Sequence, residues 1–352
     1  MVRSIIGGKA ALPAERKSAP KAPQTQRTRT AVTTRADPAV QRVRIDEGSA
    51  GQRLDNFLFK LWKGVPKTHV YRVIRSGEVR VNKGRASADT RLALEDEVRL
   101  PPVRVAEPAS SAPAPAREFP IVWEDDQLIA VDKPAGVAVH GGSGVSFGVI
   151  EQLRQARPDA RFLELVHRLD KETSGLLLIA KKRSALLALQ EQFRQRETGK
   201  TYAALVVGAW PVVHKVIDVP LHKTLDAAGE RRVRVVAEGH EDGRRSISLV
   251  RVVEGFAEFT LLDVTIKTGR THQIRVHLAH EGHVIVGDPK YGDFSLNKAL
   301  ARGAAVSGQR FDRMFLHARR LRFEHPASGE VIELQASLPA ECEALLTAIR
   351  LR

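Results

Sequence analysis

The residues best equipped for chemistry lie in one stretch, Val166 to Lys181, which reads VHRLDKETSGLLLIAK. Asp170 sits in its polar first half, between Arg168 and Lys171. A carboxylate flanked by cations is favoured in its ionised form. An ionised aspartate on a loop at a strand mouth can serve as a nucleophile or as a base. It can equally cap a turn, and short motifs match by chance. The second half, Leu176 to Ala180, is a short apolar run bounded by Gly175 and by Lys181-Lys182. That length predicts a buried strand rather than a helix.

Three further blocks carry reactive side chains. KTYAALVVG brings Lys200 and Tyr202. Residues 267–293 read KTGRTHQIRVHLAHEGHVIVGDPKYGD and contain Arg270, Arg275 and four histidines. Residues 314–330 read MFLHARRLRFEHPASGE. His272 and His277 stand five apart, with His280 and His283 nearby. A helical metal motif needs a pair four apart with an acid beside it, so no metal site is expected. The alternation in RTHQIRVH suggests a strand, or a strand entering a helix. The chain has one cysteine, Cys342, which excludes an internal disulfide framework and a thiolate cluster. The glycine-rich run His140 to Gly144 could approach a phosphate closely. No nucleotide-loop lysine follows it, which argues against a nucleotide-driven enzyme such as a helicase.

The elements that must position these groups can be read in order. Residues 1–41 are rich in Ala, Pro, Thr, Arg and Lys, and predict a disordered basic tail. Next comes a small unit, residues 42–102. It opens like a strand, then places Leu54, Phe57, Leu58 and Leu61 at helical spacing. Val70, Val73 and Ile74 define the apolar face of a second helix, and Gly77 reads as its stop. Two short strands follow, with Asn82-Lys83-Gly84 as a turn. Residues 103–120 are rich in Pro, Ala and Ser and read as a linker. From Ile121 to the C-terminus the pattern predicts strand, turn and strand, then a helix from Val149 to Arg157. After the Asp170 loop come a helix over Ser184–Arg196 and an apolar strand over Tyr202–Val207. Repeated alternation across 215–265 predicts several antiparallel strands. The fold class expected is α+β.

Charge narrows the partner. The 352 residues carry a formal net charge of +15, with a pI near 10.2. Residues 1–41 hold eight Lys/Arg against two Asp/Glu, and residues 42–105 hold fourteen against eight. The front of the molecule therefore supplies most of the attraction for a polyanion. No apolar run is long enough to span a bilayer, and the N-terminus lacks the apolar core of a signal peptide. A cytoplasmic protein is the expectation, with nucleic acid or an acidic membrane surface as the polyanion.

These blocks, in this order and at this spacing, resemble the pseudouridine synthases of the RluA type. The resemblance covers roughly Val43 to the C-terminus, and HRLDKETSG looks like that family's catalytic loop. It implies a catalytic domain over 121–352, built on a mostly antiparallel mixed sheet with flanking helices. The preceding unit resembles an S4 RNA-binding domain. The reaction implied breaks the N1–C1′ bond of a uridine, turns the uracil and joins C5 to C1′. No redox step or group donor is involved, so no cofactor is expected. The target base must first be flipped out of its RNA, at a cost of about a few kcal/mol.

The resemblance also assigns roles. Asp170 would attack C1′ or remove the 2′ proton. Arg275 would pair with the Asp170 carboxylate, with Arg270 as its rival in the same block. Tyr202 would stack on the flipped uracil and help remove the C5 proton, and Arg168 would fill the space the base leaves. Arg53, Lys67, Arg72, Arg75, Arg80 and Lys83 are the expected phosphate contacts of the S4-like unit. Each alone could be an ordinary solvated charge, whereas the cluster points to RNA. The S4-like unit and VHGGSGVSFGVIE favour large-subunit (23S) ribosomal RNA as substrate, acted on by a monomer. A non-catalytic RNA-binding or ribosome-assembly protein is the competing reading. It would be free to lose Asp170, Tyr202 and Arg275, and all three are present.

Overall fold

The computed structural model describes residues 40–46, 48–62, 64–103, 113–142, 145–225 and 231–352. The basic tail expected over 1–41, up to residue 39, much of the linker, and Ser143-Gly144 of the glycine-rich run lie outside the described residues; Gln41, placed in the tail, opens β1.

The N-terminal unit contains β1 (Gln41–Arg44), α1 (Leu54–Leu61), α2 (Lys67–Arg75), β2 (Arg80–Val81), β3 (Gly84–Arg85) and β4 (Glu97–Leu100). Its strands form an antiparallel sheet in the order β1-β4-β2-β3. Leu54, Leu58, Val70, Val73 and Ile74 bring α1 and α2 onto a small core with Val79, Leu92, Val98 and Leu100. Leu61, expected on the buried face of α1, is exposed. Asn82 and Lys83 both have positive φ, the geometry of a tight hairpin turn that matches strand twist.

The larger unit begins with β5 (Ile121–Glu124), β6 (Leu128–Lys133), α3 (Val149–Ala156), β7 (Glu164–Leu165) and β8 (Ser174–Ala180). It continues through α4 (Arg183–Gln195), β9 (Gly199–Val207), β10 (Val216–Asp218), β11 (Leu221–Leu225) and β12 (Arg231–Val235). It ends with β13 (Ile247–Gly255), β14 (Phe259–Ile266), α5 (Gln273–His280), α6 (Phe294–Ala301), β15 (Leu316–Glu324), β16 (Val331–Gln335) and α7 (Ala340–Arg350). The central sheet runs β10-β13-β14-β9-β15-β8-β6-β5, with β16 on β15 and β7 on β8. Among the described residues, only the β15–β8 pairing is parallel. β11 and β12 form a separate hairpin.

The apolar run of β8 is buried on both faces, as its unbroken hydrophobicity requires. Leu177 and Ile179 join a core with Tyr202, Val206, Leu262 and Val264, covered by Leu153 of α3 and Leu278 of α5. Leu176 and Leu178 point the other way, onto Leu186 and Leu189 of α4. Each such side chain contributes about 1.5–3 kcal/mol of burial. Phe119, at the end of the expected linker, also packs in the first core, and Arg117 N–H donates to the Gln152 carbonyl at 3.3 Å. This last part of the linker is thus held against the larger unit. The two units also touch: Arg183 of α4 donates to the Ala50 carbonyl, and Lys60 pairs with Glu164 at 3.1 Å.

One local expectation is corrected. Of the two expectations for RTHQIRVH, a strand or a strand entering a helix, the strand is absent and the helix present: Gln273–His280 is α5. Gln273 to Leu278 are all buried, so no polar stripe marks the helical period in the sequence. Its entry is set by Gln273, whose side-chain oxygen accepts from the Thr268 hydroxyl at 2.7 Å and the Arg270 N–H at 3.2 Å. Among the described residues, no helix is long and apolar enough to cross a membrane.

Candidate active site

Asp170 projects from the loop between β7 and β8, and the loop is fastened from several sides. Thr173 N–H donates to the Asp170 carbonyl at 3.1 Å. Lys133, fully buried at the end of β6, donates to the carbonyls of Pro134 (2.8 Å), Val137 (2.8 Å) and Lys171 (3.2 Å). It thereby ties the residue after Asp170 to the neighbouring strand. Burial pulls its pKa down to about 7. Three carbonyl acceptors work against that pull, because only the ammonium has three protons to offer. His167 accepts the Leu178 N–H through Nε2 at 3.1 Å and stacks on Phe193. Burial pushes its pKa down to about 3, so the ring stays neutral. Gly175, with φ +109°, is the second residue of β8; a Cβ there would overlap the backbone of Ala318 on β15.

Arg275 reaches the same point from α5. Its side chain is only 5% exposed and grips Asp288 with two hydrogen bonds, at 2.7 and 2.8 Å. The remaining nitrogen, Nη1, faces Asp170 Oδ2 at 3.4 Å. Burial alone would lower the arginine's pKa; the Asp288 pair and the Asp170 charge outweigh it and raise it. Asp288 is itself buried, which would raise its pKa, yet the Arg275 pair and the N–H groups of Lys290 and Tyr291 pull it down. Arg275 is therefore a fixed cation, anchored on one carboxylate and pointed at another. Oδ1 of Asp170 accepts no hydrogen bond among the described residues.

The space before Asp170 is a cleft of about 460 Å³, a size suited to small-molecule groups. Tyr202 of β9 lines it. Burial first, then the Asp170 charge, raises the Tyr202 pKa above the ordinary tyrosine value. The phenol consequently holds its proton, which favours a role as an aromatic platform over one as a proton acceptor. Lys200 stands two residues earlier on the same strand face. Its ammonium lies 4.9 Å from the centre of the Phe193 ring, and burial lowers its pKa. It makes no carboxylate ion pair among the described residues. Arg168, Arg196, Lys267 and Arg270 complete a strongly cationic rim.

Two domain families match this chain. The S4 domain model covers residues 52–98, and the RNA pseudouridylate synthase model covers residues 127–280. The chain is 49% identical over 320 residues to ribosomal large subunit pseudouridine synthase C of Yersinia pestis, spanning 89% of this chain and 97% of that protein. It belongs to the RNA pseudouridylate synthase family. The protein of the same name from Escherichia coli (strain K12) is 48% identical, over 89% of this chain and 98% of that one. Among solved structures, human RNA pseudouridylate synthase domain containing 4 aligns at 27% identity with a TM-score of 0.53, covering 66% of this chain and 93% of that one.

Within this RNA pseudouridylate synthase, the structure brings Asp170, Tyr202 and Arg275 into one cleft from three separate blocks of sequence. Arg168 is exposed at its mouth. Arg270 lines the cleft but makes no ion pair with Asp170 among the described residues, so Arg275 is the partner. The six S4 cations are all exposed. Arg80 and Lys83 line a groove with Arg42 and Arg99. Arg75 lies with Arg85 beside Tyr71 and Ile74. Lys67 lies over Phe59, Arg72 contacts His69, and Arg53 is occupied by Asp55. No cluster of His, Cys, Asp and Glu suited to a metal ion occurs among the described residues.

Sequence reasoning missed Asp288, Lys133, His272 and Tyr291 as parts of the site. Asp288 and Tyr291 fall in the run Gly287 to Asp293, where Gly, Pro and Asp read as turns. Lys133 precedes Pro134 and reads as the end of a strand. The signal available was the buried fate of a lysine inside an apolar strand, which only packing reveals.

Proposed function

We propose that this synthase converts uridines of 23S ribosomal RNA to pseudouridine, with Asp170 as nucleophile. The observation that carries the reading is Asp170 itself, lining the cleft with Oδ2 held by the anchored Arg275 and Oδ1 accepting no hydrogen bond among the described residues. The large-subunit substrate is supported by the relatives' names and by the S4 domain. The flipped uridine enters the cleft and its base lies on Tyr202. Asp170 attacks C1′ as the N1–C1′ bond breaks, and the uracil leaves with the electron pair. The base turns, C5 bonds to C1′ and displaces the carboxylate. The C5 proton departs and N1 ends protonated, so the composition is unchanged. The balance needs no oxidant, reductant or donor, and hence no cofactor.

Arg275 keeps Asp170 charged and aimed, a charge-assisted contact of the stronger class. Arg168, at the mouth, takes the place of the extruded base, its planar guanidinium suited to stacking. Lys200 meets a phosphate of the target strand. The S4 cations Arg53, Lys67, Arg72, Arg75, Arg80 and Lys83 grip the RNA backbone elsewhere, with Arg80 and Lys83 on the groove they share with Arg42 and Arg99. We divide the chain into a basic tail (1–41), an S4 domain (42–102), a linker (103–120) and a catalytic domain (121–352). One chain carries every catalytic group named, which supports action as a monomer, and a ribosomal RNA substrate supports a cytoplasmic location.

The test is modification mapping of 23S rRNA in cells lacking the protein, rescued with the native chain or with Asp170→Asn. Pseudouridines should vanish on deletion and return only with the native chain. Rescue by both chains would remove Asp170 from the mechanism. No change in 23S rRNA on deletion would move the substrate to another RNA.

A further inference from the structure

Asp170 Oδ2 has a second neighbour that the mechanism above does not use. His272 Nε2 lies 3.8 Å from it, in a side chain only 16% exposed. His272 sits at the entry to α5 with φ +53°, a left-handed conformation uncommon for a residue with a side chain. Its other nitrogen, Nδ1, lies 2.9 Å from the Tyr291 hydroxyl oxygen. That oxygen already accepts the Val233 N–H of β12 at 3.1 Å. The Tyr291 ring is also the face over which the Arg275 guanidinium lies, at 5.1 Å.

The proton positions follow from satisfying each group. The Tyr291 proton needs an acceptor, and His272 Nδ1 is the one its hydroxyl has among the described residues. With Nδ1 accepting, the neutral ring carries its proton on Nε2. That proton faces the Asp170 carboxylate, whose charge favours it there. Burial lowers the His272 pKa, in keeping with a neutral ring. A chain of donors thus runs from the backbone of the β11–β12 hairpin through Tyr291 and His272 to the reacting carboxylate.

We propose that His272 is a positioning residue for the nucleophile, with Tyr291 setting its tautomer and the hairpin fixing Tyr291. At 3.8 Å the contact is open; a shift of about 1 Å when the cleft fills makes it a hydrogen bond. Arg275 and His272 then hold Oδ2 together, leaving Oδ1 as the attacking atom. The proposal deepens the function assigned above and rests on it.

The experiment measures single-turnover pseudouridine formation by the full chain on a 23S rRNA fragment. His272→Asn keeps a residue tolerant of positive φ but places its amide near Nδ1, out of reach of Asp170. His272→Gln puts an amide donor near the Nε2 position. Tyr291→Phe keeps the ring beneath Arg275 and removes the hydroxyl. The loss of one hydrogen bond to a charged group predicts a fall in kcat of about tenfold or more for His272→Asn and Tyr291→Phe. KM for RNA stays within about twofold, and His272→Gln recovers most of the rate. Nitrogen-15 NMR of the His272 ring shows the Nε2–H tautomer in the native chain and a mixture in Tyr291→Phe. Native rates in both Asn and Phe variants, or a native His272 ring protonated on Nδ1, would overturn the proposal. Inactivity of the native chain on the fragment would instead strike the function assigned above.

Discussion

Asp288 offers the sharpest test of how the site is held. It makes the two short bonds to Arg275, while Asp170 receives only the third nitrogen at 3.4 Å. The variant Asp288→Asn keeps the shape and removes the charge. Both partners are at most 5% exposed, so the guanidinium loses its principal counter-charge in a place water barely reaches. Breaking a buried pair by removing one member costs about 3–5 kcal/mol. At about 2–4 °C per kcal/mol for a domain of this size, the melting temperature falls by roughly 6–20 °C. With its anchor weakened, Arg275 turns toward Asp170, its remaining carboxylate. A displacement near 1 Å costs on the order of 100-fold in rate, so kcat falls by about 10- to 100-fold. Scanning calorimetry and single-turnover kinetics give the two numbers. The double variant Arg275→Met/Asp288→Asn separates them. With both charges gone it should be more stable than the sum of the single losses, because no buried ion is left alone, yet it should be inactive. A melting temperature within about 1 °C of native for Asp288→Asn, with native kcat, would refute the reasoning.

Two further outcomes follow from the same geometry. Lys133 titrates near 7 in the fold against 10.5 when unfolded, so between those values the unfolded chain holds the extra proton. Stability therefore rises with pH across that window, and below about 7 the full penalty of the buried charge is present. Urea midpoints at pH 7 and 9 should rise more for the native chain than for Lys133→Met; equal slopes would show that the lysine does not titrate there. Lys200→Met removes a cation aimed into the cleft, so it should reduce the salt slope of RNA binding by about one without altering the melting temperature by more than about 2 °C. An unchanged slope would take Lys200 off the RNA.

Much of this protein is legible locally. The unbroken apolar run of Leu176 to Ala180 requires a strand covered on both faces, and α3, α4 and α5 provide the cover. The polar loop before it marks Asp170, and the alternation beyond residue 215 foretells the antiparallel sheet. The charge imbalance announces a polyanion. These features depend on periodicity, turn chemistry and composition, which neighbouring residues determine among themselves.

The helix α5 shows where that reasoning fails. Burial on every side erased the 3.6-residue stripe, so alternation suggested a strand, or a strand entering a helix, rather than a helix throughout. The partners of the site failed for a related reason. Arg275 meets Asp288 thirteen positions away, Lys133 meets Lys171 thirty-eight away, and Arg275 meets Asp170 across one hundred and five. Nothing in the spacing of these residues encodes the meeting. The types of chemical group were set by the sequence alone: a carboxylate between two cations, a tyrosine, an arginine among several. Which arginine faces the carboxylate, and which second aspartate holds it there, was decided only when sheet and helix packed together. Buried charges must be paired, and packing determines which partner lies within reach.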